Sequence, residues 1–236
     1  MCRNTMIRNA VGSLLLLGTL VLDRRLLAVE VRSPDISSGN NATRIPFYAF
    51  PDETARVQEV HSSADFLGVI PNGGVITKLR FYNDPSSFGF VLGPLRSIQF
   101  NLSTVPRGPD QLSSTFAENV GHNDTIVFAG SLPFQASTEV PLSTPFVYRP
   151  QDGHLLVDIR VYVPLVSPAN FSSDAHIASG DTISMVFAFD VNALVGNITT
   201  GGLLTSFEIT PIPEPSVVWF GALFIAVGWA SRFVSG

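Results

Sequence analysis

Between His154 and Pro164 every second residue is apolar: Leu155, Val157, Ile159, Val161 and Val163 fall on one side of an extended chain, with Asp158, Arg160 and Tyr162 on the other. A period of two fits a strand, whose successive side chains point to opposite faces, and does not fit a helix. Such a strand has one dry side and one wet side. Burying five side chains of this size contributes roughly 7 to 15 kcal/mol, while fixing about nine residues of backbone costs a similar amount. No such strand is stable alone, so a second layer must cover its dry face.

The same alternation predicts strands at Val75–Tyr82, Ser97–Ser103 and Thr205–Thr210; in the second of these Ile98, Phe100 and Leu102 point inward and Gln99 and Asn101 outward. Thr125–Ala129, Glu139–Tyr148 and Thr182–Val191 are more continuously apolar, as central strands are. Turn formers separate the runs, at Pro71-Asn72-Gly73-Gly74, Asn83-Asp84-Pro85, Gln151-Asp152-Gly153 and Ser179-Gly180-Asp181. One stretch, Leu112 to Asn119, reads as a two-turn helix ended by Gly121, and residues 29 to 45 read as a polar linker or edge segment. With 19 Gly, 17 Pro and only 14 % charged residues, the composition favours turns and strands. The predicted fold class is all-β, a β-sandwich or jelly roll over residues 29–210.

Charge and chemistry narrow the function. Between Val29 and Thr210 nine basic residues face seventeen acidic ones, a net charge of −8. That balance excludes nucleic acid as a partner, which needs a basic face. The single cysteine, Cys2, leaves residues 29–210 without a thiol for a disulfide, a zinc site or a nucleophile. His61, His122, His154 and His176 have no paired ligand spacing and read as exposed loop residues. No Gly-x-Ser-x-Gly elbow is present, and no acid pair is marked by spacing for sugar hydrolysis, so the reading is non-enzymatic. No cofactor is expected. Calcium is the ion to consider, because loop carboxylates and carbonyls bind it: candidates are Asp152 with Asp158, Asp181 with Asp190, and Asn123 with Asp124.

Both ends read as membrane-directed. At the N-terminus Arg3 and Arg8 precede an apolar run from Val11 to Leu22, as in a secretory signal peptide spanning residues 1–28 with cleavage after Ala28. At the C-terminus, residues 211–236 hold Pro213-Glu214-Pro215, then an uncharged run from Ser216 to Ser231, then Arg232. The prolines keep Ile212 to Pro215 extended and out of the following helix. Sixteen residues of helix reach about 24 Å, and continuing through Val234, with Arg232 snorkelling, gives about 28 Å against roughly 30 Å of hydrocarbon. A single transmembrane helix over about residues 216–234 is therefore expected. Arg232 holds the C-terminus in the cytoplasm and the preceding domain outside.

This order of Pro-Glu-Pro, short apolar helix and terminal basic residue resembles the PEP-CTERM sorting signal of bacterial envelope proteins, with the family's usual arginine cluster represented by Arg232 alone. The stretches LSTVPRGPDQLSSTFAENVG (102–121) and PLSTPFVYRPQDGHLLVDIRV (141–161) resemble a recurring ectodomain of such proteins. The resemblance implies recognition of Pro213, Glu214 and Pro215 by an exosortase, a membrane-embedded cysteine transpeptidase. It implies a secreted or envelope-associated protein, membrane-anchored before processing, with a structural or adhesive role in the envelope or its polysaccharide matrix. An alternative is a carbohydrate-binding module, calcium-dependent if its acidic loops hold the ion, with Tyr148, Tyr162 or Phe171 stacking on sugar rings. A secreted hydrolase and a eukaryotic lipid anchor are the remaining alternatives.

Overall fold

Residues 27–47, 54–85, 94–133, 137–163 and 172–214 are described by the computed structural model, and over them the chain is all-β. In chain order the strands are β1 (Val29–Ser33), β2 (Asn41–Thr43), β3 (Ala55–His61), β4 (Gly74–Tyr82), β5 (Pro94–Val105), β6 (Thr125–Pro133) and β7 (Ser137–Tyr148). There follow β8 (His154–Val163), β9 (Ser173–Ile177), β10 (Ile183–Ala188), β11 (Asn197–Thr199), β12 (Gly201–Leu203) and β13 (Thr205–Pro211). A single-turn helix, α1 (Ala64–Leu67), follows β3. One sheet has the order β1-β13-β4-β7, a second β11-β10-β3-β8-β5-β6, and a small third sheet β12-β9-β2. All these pairings are antiparallel.

The two larger sheets pack face to face as a sandwich. From the six-stranded sheet Val57, Ile98, Phe100, Leu102, Val127, Leu155, Val157, Ile159 and Val161 enter the core; from the four-stranded sheet come Val31, Ile76, Leu79, Phe81, Val140, Phe146, Tyr148, Phe207 and Ile209. Aromatic rings bridge the layers. Phe81 stacks on Phe100 with centroids 5.7 Å apart, and Phe66 of α1 meets Tyr148 and Phe207 edge-on at 5.1 and 5.3 Å. Quadrupolar rings prefer such offset and T-shaped contacts. Against β13 the pairing shifts: Glu208 and Ile209 are consecutive but stand opposite Lys78 and Ile76 of β4. The extra residue, Thr77, is why Ile76 and Leu79, three apart, both face inward where strict alternation would turn one of them out.

Residues 29–45, read as a linker or edge segment, supply the edge strands β1 and β2. Elsewhere the structure departs from the sequence reading. Leu112–Asn119 forms only one 3-10 turn, Phe116–Glu118, because Asn119 is spent on tying the segment to the sheet. The strand expected over Thr182–Val191 is Ile183–Ala188, ended where the Asp190 carboxylate takes the Asn192 N–H at 2.9 Å. The wet face of β8 is dry at Leu156 and Asp158, while Arg160 is half-buried and Tyr162 stays exposed. The segment between β5 and β6 folds over the dry part, and Val60, Val105, Leu112, Phe116, Leu156, Val186 and Ala188 form a second apolar cluster there.

Phe207 is fully buried and touches both Phe66 and the His61 ring, the latter at 5.0 Å between centroids. Phe207→Ala is expected to cost roughly 3–5 kcal/mol in a urea titration. Tyr162→Ala, at a 39 % exposed position, should stay near the small effects of ordinary surface changes.

Candidate functional site

Strands β1 and β13 lie side by side with Val29 opposite Ile209, so residues before β1 and after β13 leave the sandwich at one end. Thr210 and Pro211 continue the pairing against Val75 and Gly74, and the last backbone bond among the described residues is Ile212 N–H to Gly73 O at 2.9 Å. Pro213 and Glu214 follow as exposed, non-strand residues. Gly73 makes this exit. Its φ of +87° is left-handed, and a Cβ there would stand 2.6 Å from the Tyr148 carbonyl oxygen and 2.7 Å from Arg149 Cγ. Pro215 and Arg232, with the transmembrane helix expected over 216–234 and the signal peptide, lie outside the described residues; among the described residues no helix is long and apolar enough to cross a membrane.

Beside the exit lies an open groove of about 400 Å³, lined by Thr104, His122, Asn123, Thr125, Arg149 and Asp152, with Phe146 and Val147 below. The turn Pro150–Asp152 carries Asp152 to its rim. Asn123 is held across it, accepting the Thr104 N–H at 2.8 Å and donating to Thr104 Oγ1 at 3.1 Å. Guanidinium, imidazole, amide, hydroxyl and carboxylate groups thus converge on one polar hollow, able to hydrogen-bond a hydroxyl-rich ligand.

No protein-family model matches this sequence, and no curated protein is detectably similar to it.

Among the calcium candidates, Asp158, Asp181 and Asp124 are each engaged by neighbouring groups of the fold. Asp158 is 2 % exposed at the middle of β8, and its oxygens accept from Arg56 at 2.8 Å, Gln58 at 3.0 Å and Arg160 at 3.2 Å. Expected on the wet side of the strand, it is instead the centre of a buried polar network beneath Phe116, on whose ring the Arg56 guanidinium lies at 4.5 Å. Asp181 takes His176 Nδ1 at 2.8 Å and the Ile183 N–H at 3.1 Å. Asp124 accepts from Asn101 Nδ2 at 2.9 Å. Among the described residues no three His, Cys, Asp or Glu side chains come together as a metal site. Of the proposed sugar platforms, Tyr148 is buried with its hydroxyl donating to Gly153 O at 2.9 Å, Tyr162 is partly exposed, and Phe171 lies outside the described residues. Burial also pushes the Tyr148 hydroxyl pKa up.

The histidine reading needs the largest correction. His61 is fully buried on β3, and His154 is half-buried at the start of β8, accepting the Ser63 N–H at 3.1 Å. Two residues before His61, Glu59 is equally buried, with Oε1 accepting the Leu203 N–H at 2.6 Å. Ser33 Oγ lies 3.0 Å from His61 Nδ1 and donates to Asp65 Oδ2 at 2.6 Å. Burial raises the Glu59 pKa to about 8, against which the Leu203 bond works, and lowers that of His61 to about 3. Asp65 is raised chiefly by burial, with Asp35 and Asp181 adding to it and bonds from Ser33 and Thr182 opposing it. Although a serine, a histidine and an aspartate meet here, the serine proton points to Asp65 and both Ser33 and His61 are closed to solvent. That order gives no activated nucleophile. The one sequence signal was the alternation of Val57, Glu59 and His61, which puts two ionisable groups on an inward face.

Removing the carboxylate in Asp158→Ala leaves Arg56 and Arg160 facing each other and Gln58 without an acceptor. The expected loss is roughly 3 kcal/mol, the low end for broken buried pairs because both guanidiniums keep some water. Denaturant unfolding with and without a calcium chelator measures it, and the loss should be the same in both.

Proposed function

We propose that this chain is a bacterial envelope protein, a non-enzymatic β-sandwich with a structural or adhesive role. In this reading a signal peptide (1–28) exports it, a helix over about 216–234 holds it in the membrane, and an exosortase processes it at Pro213-Glu214-Pro215. The observation that carries the reading is the exit geometry. Among the described residues the last backbone hydrogen bond is made by Ile212, and Pro213 and Glu214 follow it exposed, so a processing enzyme can grip them without unfolding a strand. The first strand starts at Val29, next to the proposed cleavage after Ala28, and both membrane-directed segments leave from the same end. From Ile212 to Ser216 the chain spans at most about 14 Å, so the anchored domain stands with that end towards the bilayer.

The groove favours a second reading, saccharide binding, moved from the buried Tyr148 to Arg149, Asp152, Asn123 and His122. The groove lies next to the exit, because Arg149 packs on Gly73. A glycan array with and without chelator tests it, and Arg149→Ala should abolish any signal that the groove produces.

Replacing Glu214 and Pro215 by Ala is expected to leave the full-length precursor in the membrane of a host that carries an exosortase, while the native chain loses its tail. Intact mass of the protein recovered from cells distinguishes the two. Equal processing of variant and native chains overturns the sorting role of these residues.

A further inference from the structure

Ser33 Oγ donates to Asp65 Oδ2, and a hydroxyl has one proton, so the 3.0 Å contact with His61 Nδ1 must be donated by the imidazole. This fixes the tautomer: Nδ1 carries the proton and Nε2 is a bare acceptor, buried and without a partner. Glu59 presents the complement. Its Oε1 accepts from Leu203, while Oε2 is buried with no partner. A carboxyl in a dry site with one backbone donor and no cation bonded to it keeps its proton, and Oε2 is the atom free to carry it. An unpaired donor and an unpaired acceptor therefore project from one face of β3, two residues apart. That spacing is about 7 Å along a strand, a gap that two hydrogen bonds through a single water, helped by the length of the Glu side chain, can close. Buried waters occur where otherwise unpaired polar groups converge in this way.

We propose that Glu59 and His61 hold one proton and one bridging water between them, closing a hydrogen-bond chain Glu59–water–His61–Ser33–Asp65 that makes the attachment of β12 to β3 a proton-controlled latch. The latch is the Leu203 N–H bond, which fastens the small sheet to the six-stranded one. The elements packed against it contribute few charges. Opposite Glu59 and His61 stand Met185 and Ile183 of β10 and Val157 and Leu155 of β8. Strand β12 brings Gly202 and Leu203, β13 brings Phe207, and α1 brings Asp65, beyond which are Asp35 and Asp181, the latter bonded to His176 of β9.

The sign of the pH response follows from the two groups. Closed, Glu59 keeps its proton up to about pH 8, whereas solvated it ionises from its ordinary 4.5, so rising pH favours opening over that interval. Closed, His61 stays neutral down to about pH 3, whereas solvated it protonates below its ordinary 6.5, so falling pH favours opening there. The two slopes oppose each other between 4.5 and 6.5, and above 6.5 Glu59 acts without His61.

Amide exchange of the full chain in detergent, followed at Leu203, reads the latch. Protection in the native chain should be nearly level from pH 4.5 to 6.5 and fall about tenfold per pH unit from there to pH 8. In Glu59→Gln, which keeps the shape and cannot ionise, it should stay level above 6.5. The same fall in both chains overturns the proposal. Two measurements on the native chain stand even if the variant does not fold. Nitrogen NMR should find the His61 proton on Nδ1, and a high-resolution crystal structure near pH 6 should show one water bonded to both Glu59 Oε2 and His61 Nε2. A proton on Nε2, or a gap without water density, overturns it.

Discussion

Everything in this sandwich is arranged around the passage of β13 through the middle of the four-stranded sheet. It bonds β1 on one side and β4 on the other, and its Phe207 reaches across the core to α1 and to β3. Just before it, Leu203 is bonded to Glu59; just after it, Ile212 is bonded to Gly73, and the Pro-Glu-Pro begins. An interior strand is stabilised by ladders on both edges, so pulling on the tail does not peel it as it would peel an edge. The chain after Ile212 can be handled or cut while the fold holds. With no cysteine in residues 29–210, no disulfide within that stretch contributes to this arrangement.

The two outer faces solve the problem of solvent in different ways. On the four-stranded sheet Glu30, Lys78, Arg80, Glu139 and Glu208 form a lattice of exposed pairs, including Arg80 to Glu139 at 2.7 Å and Lys78 to Glu208 at 3.0 Å. Such pairs contribute little each, and they keep that face wet. On the six-stranded sheet Asp158, Arg56, Gln58 and Asn119 are linked in series under Phe116, so the polar groups are satisfied before the covering segment dries them. A buried carboxylate held this way orders its neighbours more than it stabilises them, since taking charges out of water offsets most of their attraction.

The strands that alternate cleanly were legible in the sequence, β8 above all, because a period of two is a direct record of which side is dry. The second cover was not. Phe116 lies in a Ser-rich segment with no periodicity, and only the fold brings it over Leu156 and Val186. Strand β3 was missed because its inward positions include Glu59 and His61, so the polarity that signals solvent elsewhere points inward here. Asp158 was misread for the same reason: alternation says which residues share a face, never whether a loop will cover it. Of the candidate site, Pro213 and Glu214 were legible because rigid residues before an apolar run have a local meaning. The groove was not, since Thr104, His122, Arg149 and Asp152 come from three separate stretches.

Two ionisable residues deep in an otherwise apolar core need a reason, because leucine and phenylalanine would fill the space without desolvating a carboxyl or an imidazole. Glu59 supplies one that an apolar residue cannot. The Leu203 N–H faces β3 where the small sheet meets the larger one, and Gly202 beside it lets β12 approach β10 closely: a Cβ there would stand 2.5 Å from Ile183 Cδ1. Without Glu59 Oε1 the buried amide would be left unpaired, at a cost of about 1–3 kcal/mol. Glu59 is thus the acceptor that the meeting of two sheets demands. His61 and Ser33 then carry the hydrogen bonding outward to Asp65, where the surface begins.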